Sequence, residues 1–135
     1  MNIVDRVLAR ARELEPGSFA LVMATGIVSV DLTQHGMAWL GRALFWLNLL
    51  AYAWLLLLST LRLACYRREM MAQFATPGHG AAFLTLAAGT CVLGTQCLMV
   101  VHLPLLARLL AALGAVFWTV LIYLFFFVVM VRRDK

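Results

Sequence analysis

The chain alternates between long uncharged apolar runs and short polar, basic breaks. No charged residue lies between Arg42 and Arg62, and none between Arg108 and Arg132. A longer uncharged interval runs from Glu69 to Arg108, with the turn-forming string Thr76-Pro77-Gly78-His79-Gly80 near its start. The shortest apolar run is Phe19–Leu32, closed by Asp31. None of these runs alternates with the period of a half-buried strand, so a transmembrane barrel is excluded. Backbone groups in hydrocarbon must be paired within their own segment, and the runs are therefore predicted to be helices. The predicted spans are residues 17–34, 42–62, 80–102 and 108–131. A bilayer core takes about 20 residues of helix. The first span must therefore borrow Pro16–Ser18 or Thr33–Gly36, or lie among the others.

Ahead of them, residues 1–15 form a separate unit. Ile3, Val4, Val7, Leu8, Ala11 and Leu14 recur at helical spacing, with Arg6, Arg10 and Glu13 opposite. This pattern predicts an amphipathic helix lying at the cytoplasmic interface. Pro16-Gly17 then turns the chain, and Ser18 is placed to cap the first span. The apolar stretch that follows a charged helix and lacks a cleavage site is not a signal peptide.

The spans differ in kind. The second and fourth are bulky, with Phe45, Trp46 and Trp54 in one and Phe117, Trp118, Tyr123 and Phe125–Phe127 in the other. The first and third are thin, built on Ala20, Ala24, Thr25, Gly26 and Ser29, then on Ala81, Ala82, Thr85, Gly89, Thr90, Gly94 and Thr95. Small residues let helix backbones approach and hydroxyls bond between helices, whereas bulky groups suit lipid. The expected fold is therefore an all-α integral membrane protein. It has two hairpins, each an inner thin helix followed by an outer thick one, across residues 16–135.

Composition agrees. The apolar fraction is 64% and charged residues make up 13%, a surplus that a soluble fold of 135 residues could not bury. Charge then sets orientation. Arg6, Arg10, Arg12, Arg62, Arg67, Arg68, Arg132, Arg133 and Lys135 fall on one side of the predicted topology, and only Arg42 and Arg108 on the other. Both termini are therefore expected in the cytoplasm, in a plasma membrane or bacterial inner membrane. The net charge of +5 reads as topology and contact with anionic lipid heads, not as nucleic-acid binding. Three cysteines make no disulfide framework, and all three are expected to be small apolar packers.

The candidate transport residues are Thr25, Gly26 and Ser29 of the first span and Thr85, Gly89, Thr90, Gly94, Thr95 and Gln96 of the third. Weak dipoles, narrow side chains and no trapping charge suit a path for an anion or polar solute. The simpler reading, favoured by composition alone, is close packing with hydroxyls bonded to their own backbone. Asn48 is expected to bond a neighbouring helix. Asp31 reads as interfacial, and Asp31, His35 and His102 match no metal-ligand spacing. His79 reads as a turn residue. No nucleophile–base pair, phosphate loop or haem signature is present, so neither an enzyme nor a cofactor or metal site is expected.

Two segments carry a family resemblance. Pro16 to Ser29 reads P-G-S-F-A-L-V-M-A-T-G-I-V-S, and Phe74 to Gln96 reads F-A-T-P-G-H-G-A-A-F-L-T-L-A-A-G-T-C-V-L-G-T-Q. In order and spacing they resemble the tellurite-resistance/dicarboxylate transporter family, which includes plant slow anion channels and fungal malate and sulfite permeases. The resemblance runs over essentially the whole chain. It implies a pore lined by the odd helices of five hairpins, commonly in trimers, carrying small anions or organic acids. Thr25, Gly26 and Ser29 would then lie on one pore-lining helix, and Thr85, Gly89, Thr90, Gly94 and Thr95 on another.

This chain departs from the family in having two hairpins, no counterpart of the late helix with the gating phenylalanine, and Gly rather than Pro inside its thin helices. Two hairpins cannot enclose such a pore, so a fragment, a homo-oligomer or a partner chain supplying further hairpins is expected. The alternative is a non-transporting interaction subunit or inactive truncated relic. A small four-helix multidrug exporter ranks third, because Asp31 is poorly placed as its membrane-embedded carboxylate.

Overall fold

The computed structural model describes residues 2–13, 18–74, 76 and 83–133, and all regular structure among them is helical. Six helices follow in order: α1 (Ile3–Arg12), α2 (Phe19–Gln34), α3 (Ala38–Cys65), α4 (Arg67–Phe74), α5 (Leu84–Met99) and α6 (Pro104–Arg133). With 28 and 30 residues, α3 and α6 are the two helices among the described residues long and apolar enough to cross a bilayer. At 1.5 Å per residue they reach about 42 and 45 Å, beyond a hydrocarbon core of about 30 Å. The 16 residues each of α2 and α5 are apolar but short.

The turns explain why these boundaries differ from the predicted ones. At the end of α2, Gly36 takes a left-handed φ of 85°. The Met37 N–H donates to Leu32 O at 2.9 Å and the Gly36 N–H to Thr33 O at 3.4 Å. This Schellman closure satisfies the last carbonyls of α2 within three residues. Helix α3 can therefore begin at Ala38, four residues before the charge at Arg42 that marked it in the sequence. At the second hairpin His102 adopts φ 56°, and the Leu103 N–H reaches Cys97 O at 2.9 Å. Pro104 then occupies the first position of α6, where its missing N–H costs no helical bond. Ser18 does not act as expected: it already has helical dihedrals and its side chain makes no capping bond. Pro16, Gly17, His79 and the rest of the Pro-Gly-His-Gly turn lie outside the described residues.

The helices pack in the order α3, α2, α5, α6, with α1 and α4 both against α3. The thin helices are thus the middle pair. They run parallel: a side chain at Gly89 would meet Val22 and Phe19 O, and one at Gly26 would meet Val92 and Gln96, so both helices advance together. Buried apolar groups, among them Phe19, Val22, Phe45, Tyr52, Leu93, Cys97 and Val100, fill the space around this pair. The thick helices show lipid-suited faces, with Trp46, Leu50 and Trp54 exposed on α3 and Leu109, Trp118, Tyr123 and Phe127 on α6.

The basic break after α3 is helical. Its α4 spans only eight residues, too few for a helical period to stand out beside the basic pair Arg67-Arg68. Arg62 is buried at the end of α3 and donates from Nη2 to Gln73 Oε1 of α4 at 2.6 Å. In α1, the Asn2 N–H donates to the Asp5 carboxylate at 3.2 Å, closing the helix start. Ala11 is fully buried, whereas Ile3 and Val4 are exposed.

Candidate transport path

The candidate residues separate into a buried seam and an open face. Gly26 sits where three helices meet. A Cβ there would overlap Val92 and lie 3.3 Å from both Asn48 Nδ2 and Gln96 Oε1. Without it, Asn48 of α3 reaches past α2 and donates from Nδ2 to Gln96 Oε1 of α5 at 2.5 Å. Both amides are almost completely buried. One bond uses one donor and one acceptor, so Asn48 Oδ1 and Gln96 Nε2 are left without a partner. Swapping O and N on both side chains gives the same outcome, one orphaned amide oxygen and one orphaned amide nitrogen.

One turn further along α3, the Tyr52 hydroxyl lies 2.8 Å from Thr90 Oγ1. Thr90 Oγ1 also donates to Leu86 O at 2.8 Å, which uses its only proton. Tyr52 is therefore the donor to Thr90. Between α2 and α3, Ser29 Oγ donates to Gly41 O at 2.7 Å. Gly41 is close-packed: a Cβ there would overlap Thr33 and stand 2.9 Å from Ser29 O. Asn48 was expected to bond a neighbouring helix, and it does. Ser29, Thr90 and Gln96 are likewise held by neighbours and fully buried.

Hydroxyls bonded to their own helix are also frequent. Thr33 donates to Ser29 O at 2.8 Å and Thr95 to Cys91 O at 3.2 Å. Such back-bonding leaves the oxygen free to accept.

Gly89 and Gly94 are buried on different sides of α5. Gly89 faces Val22 of α2, and Gly94 faces Ala107 O and Leu110 of α6, with contacts of 3.3–3.6 Å for a hypothetical Cβ. Thr25 and Thr85 are half-buried, and Thr95 is exposed. The structure therefore brings Gly26 and Gln96 together, with Ser29 one turn along α2. It does not gather all nine residues on one surface.

Thr95 lies on a ridge between two clefts. On one side, about 350 Å³ is enclosed by Ile27, Val30, Asp31 and Gln34 of α2 with Val92 and Thr95 of α5. On the other, about 340 Å³ lies between Cys91, Gly94 and Thr95 of α5 and Pro104, Ala107 and Arg108 of α6. Asp31 and Arg108 are both exposed. Asp31 Oδ1 is 3.4 Å from His35 Nε2. No other carboxylate occurs in α2, α3, α5 or α6. Sequence spacing placed Asp31 at a helix end but did not turn it toward α5, and it did not bring Arg108 to the other flank of Thr95. Cys97 packs in the core as expected; Cys65 and Cys91 are exposed instead, and Cys91 lines the second cleft.

A family model described as a voltage-dependent anion channel matches residues 13–133. Neither a curated protein nor a solved structure matches the chain. The matched region contains both motif segments, whose stretches Phe19–Ser29 and Leu84–Gln96 lie on the two thin helices side by side. The chain thus belongs to the voltage-dependent anion channel family, the membrane transport family of tellurite-resistance/dicarboxylate proteins, whose members are anion channels and transporters rather than enzymes.

Proposed function

We propose that the chain contributes to a membrane path for small anions or organic acids, working as a channel or permease. It does so together with further copies of itself or with a partner chain that supplies more hairpins. The observation that carries this reading is the parallel pair α2 and α5. The two thin helices approach through Gly26 and Gly89, each is backed by one thick helix, and together they leave a face with clefts on both sides of Thr95. A membrane path needs such a narrow, weakly polar lining, and lipid-facing helices do not provide it.

Within this reading the nine candidate residues divide the work. Thr95, with the half-buried Thr25 and Thr85, offers hydroxyl groups to a passing solute. Gly26, Gly89 and Gly94 permit the approach of neighbouring helices. Ser29, Thr90 and Gln96 hold the lining helices in register from behind. Helices α2, α3, α5 and α6 cross the bilayer of a plasma or bacterial inner membrane, with α2 and α5 kept in place by their longer partners. The basic residues of α1, α4 and the tail lie on the cytoplasmic side, and α1 rests at the interface.

Reconstitution of the full chain into liposomes, with efflux of chloride, nitrate and malate measured against empty liposomes, tests the proposal. Flux of at least one anion supports it. A folded, oligomeric protein without flux removes autonomous transport.

A second reading is favoured by the hydrogen bonding itself. Ser29, Asn48, Tyr52, Thr90 and Gln96 all bond within the bundle, as they would in an interaction subunit that transports nothing. In that case substitutions at Thr95 alter assembly without changing flux.

A further inference from the structure

The two clefts that flank Thr95 share one end of the bundle, since Thr95 lines both. Their charges are opposite. Among the described residues, Arg108 is the only charged group lining the cleft between α5 and α6, and Asp31 the only acid lining the cleft between α2 and α5. Other charged or titratable groups at this end are Arg42 on α3, His102 in the second turn, and His35, which pairs with Asp31. None of these three lines either cleft. The remaining walls are apolar or small: Ile27, Val30 and Val92 on one side, Gly94, Pro104 and Ala107 on the other.

A charge at the rim of a low-dielectric cleft focuses its field along the opening and changes the local concentration of mobile ions. A long arginine stem can lie along apolar wall and keep its guanidinium at the wet end. An arginine oriented this way draws in anions, and a carboxylate on the opposite flank turns them away. Lipid-facing positions would give neither charge such leverage. Both residues instead stand where a thin helix meets its neighbour.

We propose that Arg108 and Asp31 set the charge preference at one mouth of the path, Arg108 admitting small anions along the α5–α6 cleft and Asp31 excluding them from the α2–α5 cleft. This rests on the transport reading above. It predicts opposite signs for two neutralising substitutions at the same end of the protein. The chemistry that Arg108 recognises is a small oxyanion or halide. An anionic lipid head group presents the same chemistry, so the source must be separated by the membrane used.

The test uses the full chain in planar bilayers under a potassium nitrate gradient, with liposome nitrate efflux in parallel. Both are run in purely zwitterionic lipid and again with anionic lipid added. Arg108→Gln is expected to cut nitrate flux about tenfold, the low end for charge-focused entry. Its reversal potential should move toward cation permeability. Arg108→Lys should retain most of the flux, because the charge is kept. Asp31→Asn should raise nitrate flux and move the reversal potential the other way. Both sites are exposed, so folded yield should be unchanged.

If the wild-type chain passes no nitrate in either lipid, the transport reading fails and takes this assignment with it. If the wild type conducts but neither substitution shifts the reversal potential, only the assignment of Arg108 and Asp31 is overturned. An Arg108→Gln effect confined to anionic lipid also overturns it, since the arginine would then be a lipid anchor.

Discussion

The two hairpins follow one plan but are held together by different physics. In the first, α2 and α3 are joined by a directional bond, Ser29 to Gly41 O, and Asn48 and Tyr52 of α3 bond on to α5. In the second, contacts between α5 and α6 are made by small residues. Gly94 lies against Ala107 and Leu110, and Gly114 lies against Cys91 and Ala87. The outer helices reflect this. In their apolar windows 22% of α3 is buried but only 6% of α6. A hairpin tied by buried polar bonds has a fixed register, because a slip would orphan its donors. A hairpin tied by dispersion between small residues can shift with little penalty. Helices α2, α3 and α5 are thus built as a frame, and α6, with Arg108 on its open cleft, as the adjustable element.

The largest effect that would break this contrast comes from adding a side chain at each hairpin's tightest glycine. Gly41→Val must displace Thr33 and also meets Ser29 O, a backbone atom that cannot rotate away. It should destabilise the folded protein by about 3 kcal/mol, the upper part of the overpacking range, and remove the Ser29 bond with it. Gly114→Val meets Cys91 Sγ at 2.5 Å. Cys91 is exposed and can swing outward, so the cost there should stay near 1 kcal/mol, the low end of the same range. Unfolding in mixed micelles, followed by circular dichroism, would measure both. Equal losses would end the distinction between frame and adjustable element.

The next effect sharpens the contrast at the amide pair. Asn48→Leu leaves Gln96 buried with no bond at all, and should cost about 1–2 kcal/mol. Gln96→Leu should cost the same for the converse reason. The double substitution removes both polar groups and should recover much of the loss, giving a coupling of about 1 kcal/mol, within the range seen for bonds between membrane helices. Additive single effects in the double-mutant cycle would mean that the amides are not coupled across α2.

The alternation of thin and thick helices was legible because side-chain size alone separates a helix that must approach its neighbours from one that faces lipid. The same logic correctly assigned Asn48 an interhelical bond, since a lone amide in an apolar run has few other partners. Three things were not legible. Helix α4 has only eight residues, and its Met70, Met71 and Phe74 are too few to separate a helical period from a loop. The starts of α3 and α6 follow from the Gly36 and His102 dihedrals, whereas the predicted spans took Arg42 and Arg108 as their markers. The sorting of Ser29, Thr90 and Gln96 inward and Thr95 outward depends on which neighbour packs on which flank. Helical spacing places residues on a stripe but does not say what covers it.

The smallest effect is expected at Tyr52, although its bond is nearly as short as that of Ser29, 2.8 Å against 2.7 Å. Tyr52→Phe removes the phenol and keeps the ring against Phe19, where the centroids are 6.1 Å apart in an edge-to-face arrangement. Thr90 loses a donor but still gives its own proton to Leu86 O. No buried N–H or O–H is then stranded; one hydroxyl oxygen merely accepts less, and acceptors with two lone pairs tolerate that best. The cost should be about 0.6 kcal/mol, the average for a hydrogen bond between helices in a membrane protein. Asn48→Leu leaves neither end of the buried Gln96 amide bonded and should cost more, about 1–2 kcal/mol. The two sites lie four residues apart on α3 and bond the same partner helix, so burial and geometry are matched. Unfolding in mixed micelles would compare them directly. If Tyr52→Phe proves as costly as Asn48→Leu, the rigidity of the frame lies in the number of its bonds rather than in the groups that their loss would strand.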